Sequence, residues 1–341
     1  MVLWRLLARI VTGLLLGLLV FVSAAWGVLA LYYSSGLKSA VLGMLVAAVF
    51  ACFGVAVLVG LALRRWRGRA FGAYLVVFAA MLVWWSTIAA SNDRDWKPGV
   101  AVAPHVTSDG EQVTVHNIRN FDYRTEADYT TAYYDRTFDL RQLQSVDLIA
   151  SYWAGPAIAH VFLSFGFGAD DYLAISIERR DERSEDYSTI KGLFKQYELF
   201  YVVADERDLI RLRTNVRRDP SENVYVYRLQ GPIENARRVF LDYTREINAL
   251  RDRPEFYNTV TTNCTSNIWL HARVNPGRVP YSWKILLSGH VPEYLYDTGR
   301  LDTRLPFDEL KRRSRVNAAA QAADKAEDFS RRIRSGLPGT E

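Results

Sequence analysis

The chain has 341 residues, length for two or three structural units. Half of them are hydrophobic, and 42 basic side chains stand against 37 acidic ones. Residues 1–90 hold seven of the basic residues (Arg5, Arg9, Lys38, Arg64, Arg65, Arg67, Arg69) and no Asp or Glu, which leaves the other 251 residues at 35 against 37. The basic excess therefore belongs to an apolar N-terminal third. That excludes a nucleic-acid footprint, which needs a basic patch on the folded domain, and it excludes a wholly soluble protein.

Three segments, Ile10 to Tyr32, Ser39 to Leu63 and Ala70 to Ala90, are long and apolar enough to cross a bilayer, where about 20 helical residues span roughly 30 Å of hydrocarbon. A cleavable signal peptide accounts for the first alone, so residues 1–90 are expected to form a retained three-helix module. Arg5 and Arg9 precede the first span, Arg64, Arg65, Arg67 and Arg69 follow the second, and only Lys38 follows the first. Short cytoplasmic loops hold the excess of Lys and Arg, so the N-terminus faces inward and the third span exits outward. Trp84 and Trp85 suit the outer aromatic belt. The body then lies in the periplasm of a multi-pass inner-membrane protein, whereas a re-entrant segment among the three would return it to the cytoplasm.

Residues 91–118 read as a polar entry segment, with His105 and His116 as solvated surface residues. Ile158 to Phe165 reads as a buried strand that turns at Gly166-Phe167-Gly168-Ala169-Asp170-Asp171 into a second strand, Tyr172 to Glu178, forming a hairpin. After the segment Tyr187 to Phe194, the run Leu199 to Ala204 reads as a further strand. The charges Asp205-Glu206-Arg207-Asp208 read as a solvated turn. Arg211 and Arg213 are spaced like one face of a strand and are open either to an anionic head group or to pairing with those acids. Val224 to Leu229 follows as an apolar segment, and Ile233 to Leu250 fits an amphipathic helix. Residues 307–341 form a charged tail, expected as a surface helix and a disordered end. Strands followed by helices without a strict βαβ rhythm indicate an α+β class.

Of the two cysteines, Cys52 falls inside the second span and Cys264 in the body, so they do not pair. An unpaired Cys in an oxidising compartment asks for a reason, either as a small buried hydrophobe or as a reactive thiol. Thr262 or Asn263 is a good N-cap and Pro276-Gly277 a stop, so a helix from about Cys264 to Val274 is expected. Cys264 then sits in its first turn, where unpaired N–H groups and the positive end of the macrodipole favour a thiolate.

A thiol nucleophile needs a base, most often His. His271 lies two turns along the same helix, roughly 10.5 Å away, and His290 reads as a loop residue. His160, on the buried strand, is either a satisfied structural group or the base. Glu178 on the returning strand is the candidate to orient it, and Ser176 shares its parity. The histidines are too scattered for a zinc site, and no nucleophile elbow, phosphate loop or dinucleotide fingerprint is present. No metal and no cofactor are expected.

Several segments, in one order, are similar to the Lnb N-terminal periplasmic domain family: Asn120 to Arg124, Ser151 to Gly155, Ile158 to His160, Ala174 to Glu178, Gln196 to Leu199, Ala204 to Asp208, Arg213 to Asn215, and Tyr257 to Ile268 with its Asn263-Cys264 pair. The likeness spans roughly residues 119 to 300, and residues 119–306 are delimited as the domain. The family, named for a lipoprotein N-acyltransferase, resembles a circularly permuted papain-like domain of the NlpC and lecithin:retinol acyltransferase kind, with His before Cys. The resemblance implies Cys264 as nucleophile, His160 as base, and Tyr123, Arg124, Tyr257 and Asn263 as candidate substrate contacts. One departure is that the membrane spans here precede the domain. The expected function is a membrane-anchored thiol acyltransferase acting on a lipid or lipoprotein acyl group through an acyl-thioester. The alternatives are a thiol hydrolase, amidase or endopeptidase, of envelope peptides, and a scaffold in which Cys264 is merely buried.

Overall fold

A computed structural model of the chain describes residues 2–340 apart from Lys38, Arg64, Ala169, Tyr187 and Arg278. The topological charges Lys38 and Arg64, the turn residue Ala169 and the segment's first residue Tyr187 thus lie outside the described residues.

Apolar composition without proline produces the first unit: α1 (Val2–Tyr33), α2 (Ala40–Ala62) and α3 (Arg67–Thr87). All three are long and apolar enough to cross a membrane. Small residues let α1 and α2 approach closely. At Gly27 an added Cβ would lie 2.6 Å from the Phe50 ring, and at Gly54 it would lie 3.2 Å from the Ala24 Cβ. The Ser23 and Tyr74 hydroxyls share a hydrogen bond of 2.7 Å between α1 and α3. Residues 188–198 cluster with these helices. The Phe194 ring stacks on Tyr33, and Lys195 donates to the carbonyls of Trp85 and Ile88.

Strand alternation organises the second unit. Along Val161-Phe162-Leu163-Ser164-Phe165 successive side chains leave on opposite faces. Val161, Leu163 and Phe165 join one core cluster and Phe162 the other. The strands are β1 (His105–Asp109), β2 (Gln112–Arg119), β3 (Asp122–Tyr123), β4 (Tyr129–Thr130), β5 (Tyr133–Asp139), β6 (Ser145–Tyr152), β7 (Ala159–Gly166), β8 (Tyr172–Arg180), β9 (Glu198–Ala204) and, after α4 (Glu206–Arg211), β10 (Asn223–Arg228). Eight of them form a mainly antiparallel sheet of order β1-β2-β9-β8-β7-β6-β10, with β5 also on β2; β3 and β4 pair separately.

One face is covered by α5 (Ile233–Asp252), α6 (Cys264–Ala272) and, beyond the short α7 (Trp283–Leu286), α8 (Val291–Asp297). Phe165 meets Phe240 and Tyr243 of α5 edge-on at 5.1 and 5.9 Å, a favoured aromatic geometry. The other face is covered by α4, α10 (Asn317–Ala322) and α11 (Phe329–Arg332), whereas Phe307 and Leu310 of α9 (Phe307–Arg313) join the first cluster. The domain is α+β.

Four expectations need correction. The polar entry segment is part of the sheet: β1 and β2 pair through an Asp109-Gly110 turn and bury Val106, Val113 and Val115. The run 205–208 is not a solvated turn. Asp205 caps α4, while Glu206 and Asp208 are fully buried against Arg334 and Arg119, partners more than 85 residues away in sequence. Arg211 and Arg213 lie on α4 and the π turn after it (Leu212–Val216), so their spacing is not that of a strand. The tail is folded, with Phe329, Ile333 and Leu337 buried at i, i+4 and i+8, and Arg334 reaching both Asp147 and Glu206 at 2.7 and 2.5 Å.

Candidate active site

The site forms where β7 and β8 part. Their ladder runs from Gly166↔Tyr172 to Leu163↔Ile175 and stops there. Continued in that register, Phe162 would meet Ser176 and His160 would meet Glu178. On the far side β7 keeps its pairing with β6, with Ser151 opposite His160.

The start of α6 is built by its own side chains. Asn263 Oδ1 accepts from the Ser266 N–H at 2.9 Å, and Ser266 Oγ accepts from the Asn263 N–H at 2.9 Å, a reciprocal cap. Cys264 is therefore the first helical residue. Its sulfur is hydrogen-bonded by His160 and by the backbone N–H groups of Val161 and Thr265. Val161's N–H reaches the sulfur in the stretch of β7 that has left the β8 ladder. Burial alone would push the Cys264 thiol up; these donors outweigh it and hold the thiol below its ordinary value.

Proton counting assigns the imidazole. Ser176 Oγ–H donates to Glu178 Oε1 at 2.8 Å, so at 2.6 Å from His160 Nε2 the same oxygen must accept. Nε2 thus carries hydrogen and is taken by Ser176, which leaves Nδ1 to serve the sulfur. Glu178 Oε1 also lies 3.5 Å from Nε2. Burial would lower the His160 pKa, but the thiolate and Glu178 outweigh it and raise it to about 9. Glu178 is held well below the usual carboxylate range against its burial, by His160 first and then by Arg213.

Arg213 completes the arrangement. It is buried, donates to Glu178 Oε1 at 3.2 Å and to the Leu209 carbonyl at 2.9 Å, and lies over the Phe162 ring. Glu222 lies 3.9 Å from Arg213 Nε, bonds Arg217 at 2.7 Å and accepts from Ser151. With a thiolate and an imidazolium, the group holds three negative charges (Cys264, Glu178, Glu222) and three positive ones (His160, Arg213, Arg217). A balanced buried group of this kind tolerates the charge-separated dyad. Cys264 is buried with 9% of its surface exposed, and the His160 side chain keeps 18%.

The four candidate substrate contacts have the following places. Asn263 caps α6 and donates to the Thr259 carbonyl. Tyr123 is buried and donates to Asp208. Arg124 is exposed and forms a two-pronged pair with Asp128. Tyr257 packs, half-buried, against the core on the α5 side. Sequence reasoning missed Glu222 and gave Ser151 and Arg213 no place beside His160, although both fall in the family-like segments; Ser176 carried a signal in its strand parity with Glu178. His271 is buried between Asp242 and Tyr201 at 2.8 and 2.6 Å. Among the described residues no group of three or more His, Cys, Asp or Glu side chains is arranged to hold a metal ion.

Residues 129–289 match the family model of the Lnb N-terminal periplasmic domain. No curated protein and no solved structure matches the chain. The matched span contains His160, Ser176, Glu178, Arg213, Glu222 and Cys264, while Tyr123 and Arg124 lie before it. The sheet domain is therefore similar to the Lnb N-terminal periplasmic domain family over residues 129–289, and the protein is a membrane protein with a periplasmic domain.

Proposed function

We propose that the protein is an inner-membrane thiol acyltransferase that takes an acyl group from a lipid or lipoprotein ester onto Cys264. The observation that carries this reading is the sulfur at the leading end of α6, hydrogen-bonded to an imidazole whose other nitrogen is held by Ser176 and Glu178. The helix start favours the thiolate by about 0.3–1 kcal/mol in ordinary settings, and the imidazolium adds to it.

In the first half-reaction the thiolate attacks the ester carbonyl. The C–O bond breaks, and the leaving alkoxide takes the Nδ1 proton of His160, giving an alcohol and an acyl-thioester. In the second, an amine attacks the thioester carbonyl, gives its proton to His160 and releases the thiolate as the C–S bond breaks. First-turn N–H groups of α6 have no intrahelical partners. Thr265's goes to the sulfur and Ser266's to Asn263 Oδ1, which supports the Cys264 N–H as donor to the developing oxyanion. A bilayer anchor supports a lipid-linked donor, because tethering raises effective concentration.

The test is intact mass spectrometry of the purified protein incubated with a phospholipid or lipoprotein donor. An acyl mass added to Cys264, absent in His160→Ala and discharged by an added amine, is the expected result. Discharge by water alone would move the assignment to a hydrolase, and no adduct would sink the thiol reading.

A further inference from the structure

The sheet domain holds a cavity of about 250 Å³. Val161 and Leu163 of β7, Val239 of α5, Ile268 and Ala272 of α6 and Ile285 of α7 contribute to its wall. Protein interiors pack at crystal-like density and leave few voids larger than a water molecule, and an apolar void offers water no partners. The lining arginines are already engaged: Arg228 pairs with Asp147, and Arg300 donates to the Gly277 carbonyl. Nothing in the wall therefore calls for a charged occupant.

Two lining residues tie the cavity to the dyad. Thr265 and Val161 each border it, and each gives its backbone N–H to the Cys264 sulfur. Trp269, also in the wall, meets the exposed Tyr281 edge-on at 5.2 Å, and the neighbouring Trp283, Leu286 and Leu287 are exposed as well. The apolar surface thus continues from the wall to the outside of the domain.

We propose that this cavity binds the hydrocarbon chain of the acyl group that Cys264 carries, which makes a fatty acyl ester that gives up one of its chains the substrate class. The volume sits near the lower end of ligand pockets, which run from roughly 300 to 1,000 Å³, and suits one chain rather than two. This inference rests on the acyl-transfer reading, and two measurements separate them.

The first uses the full-length Cys264→Ser protein in membranes and a diazirine-bearing decanoic acid. Label on peptides carrying Val239 or Ile268, saturable by decanoic acid and reduced at least tenfold in Ala272→Phe or Val239→Trp, is expected. Label confined to residues 2–87, or indifferent to both filling variants, would overturn the chain site. The second compares acylation of Cys264 in the wild type by p-nitrophenyl esters from acetate to laurate. The decanoate-to-acetate rate ratio is expected to fall at least tenfold in either filling variant. Acylation without chain-length preference overturns the cavity's role and leaves the thiol chemistry standing. Saturable labelling without any ester adduct supports the chain site and counts against acyl transfer.

Discussion

His160 and Glu178 face each other across the opening between β7 and β8, with Nε2 3.5 Å from Oε1 and the Ser176 hydroxyl bridging them. The strands stop pairing before these two residues would have met, and the first turn of α6 brings its sulfur to the same imidazole. A half-buried carboxylate, a hydroxyl, an imidazole and a thiol are thereby connected in one line of hydrogen bonds.

This line sets the pH behaviour. Cys264 is held below the ordinary thiol value, so its reactivity toward iodoacetamide should persist at pH values where a free thiol is protonated. His160 is raised to about 9 from 6.5, so the imidazolium is fully present below about pH 6.5 and is lost as the pH rises through about 9. Acylation should follow a bell bounded by thiolate protonation on the acid side and by imidazolium loss near pH 9. His160→Gln should return alkylation of Cys264 to the profile of an ordinary buried thiol, measured as the pH midpoint of the alkylation rate.

Glu178→Gln removes the main carboxylate facing Nε2. The alkaline limb should move to lower pH and the acylation rate should fall by about 10²-fold, the low end of what a positioned acid–base group contributes. A merely structural Glu178 would lower the rate, if at all, without moving the limb. Stopped-flow acylation from pH 5 to 10 decides between the two.

Arg213→Met takes the cation from Glu178 and Glu222. It also removes a positive charge that depresses His160, so the alkaline limb should move upward, opposite to Glu178→Gln, while Tm falls. Opposite shifts would identify Arg213 as acting on His160 through its charge; parallel shifts would overturn that and make Arg213 the residue that positions the carboxylate.

Arg334→Met should destabilise the domain by about 3–5 kcal/mol, the usual cost of leaving a buried carboxylate partner uncompensated. Both of its partners, Asp147 and Glu206, are fully buried. Urea denaturation of the full chain in detergent checks this, and a midpoint equal to wild type would return residues 307–341 to the status of a tail.

In a Cys52→Ala, Cys264→Ala background, Thr125→Cys on the exposed β3–β4 turn should react with a membrane-impermeant maleimide from the periplasmic side. Labelling only after the inner membrane is opened would reverse the three-span topology.

Local patterns were legible without coordinates. Continuous apolar runs of bilayer length have one structural outcome in lipid, so the spans read directly. The Asn263 cap placed Cys264 at a helix start, because capping is settled by side chains within four residues. Alternation and a turn gave the β7–β8 hairpin, and with it the shared parity of Ser176 and Glu178. The Asp109-Gly110 turn and the alternation of Val113 and Val115 carried the same kind of signal for β1 and β2, and there it was overlooked. What only the tertiary structure decided were pairings between distant charges: Arg119 with Asp208, Arg334 with Glu206, Arg213 with Glu178. Charge runs have the same composition whether water or a buried partner satisfies them, since Coulombic partners are chosen by distance in space and leave no periodicity in the chain. For the same reason the sulfur and the imidazole were each recognisable alone, while their meeting at the parted strands depended on where β7 and β8 stop pairing.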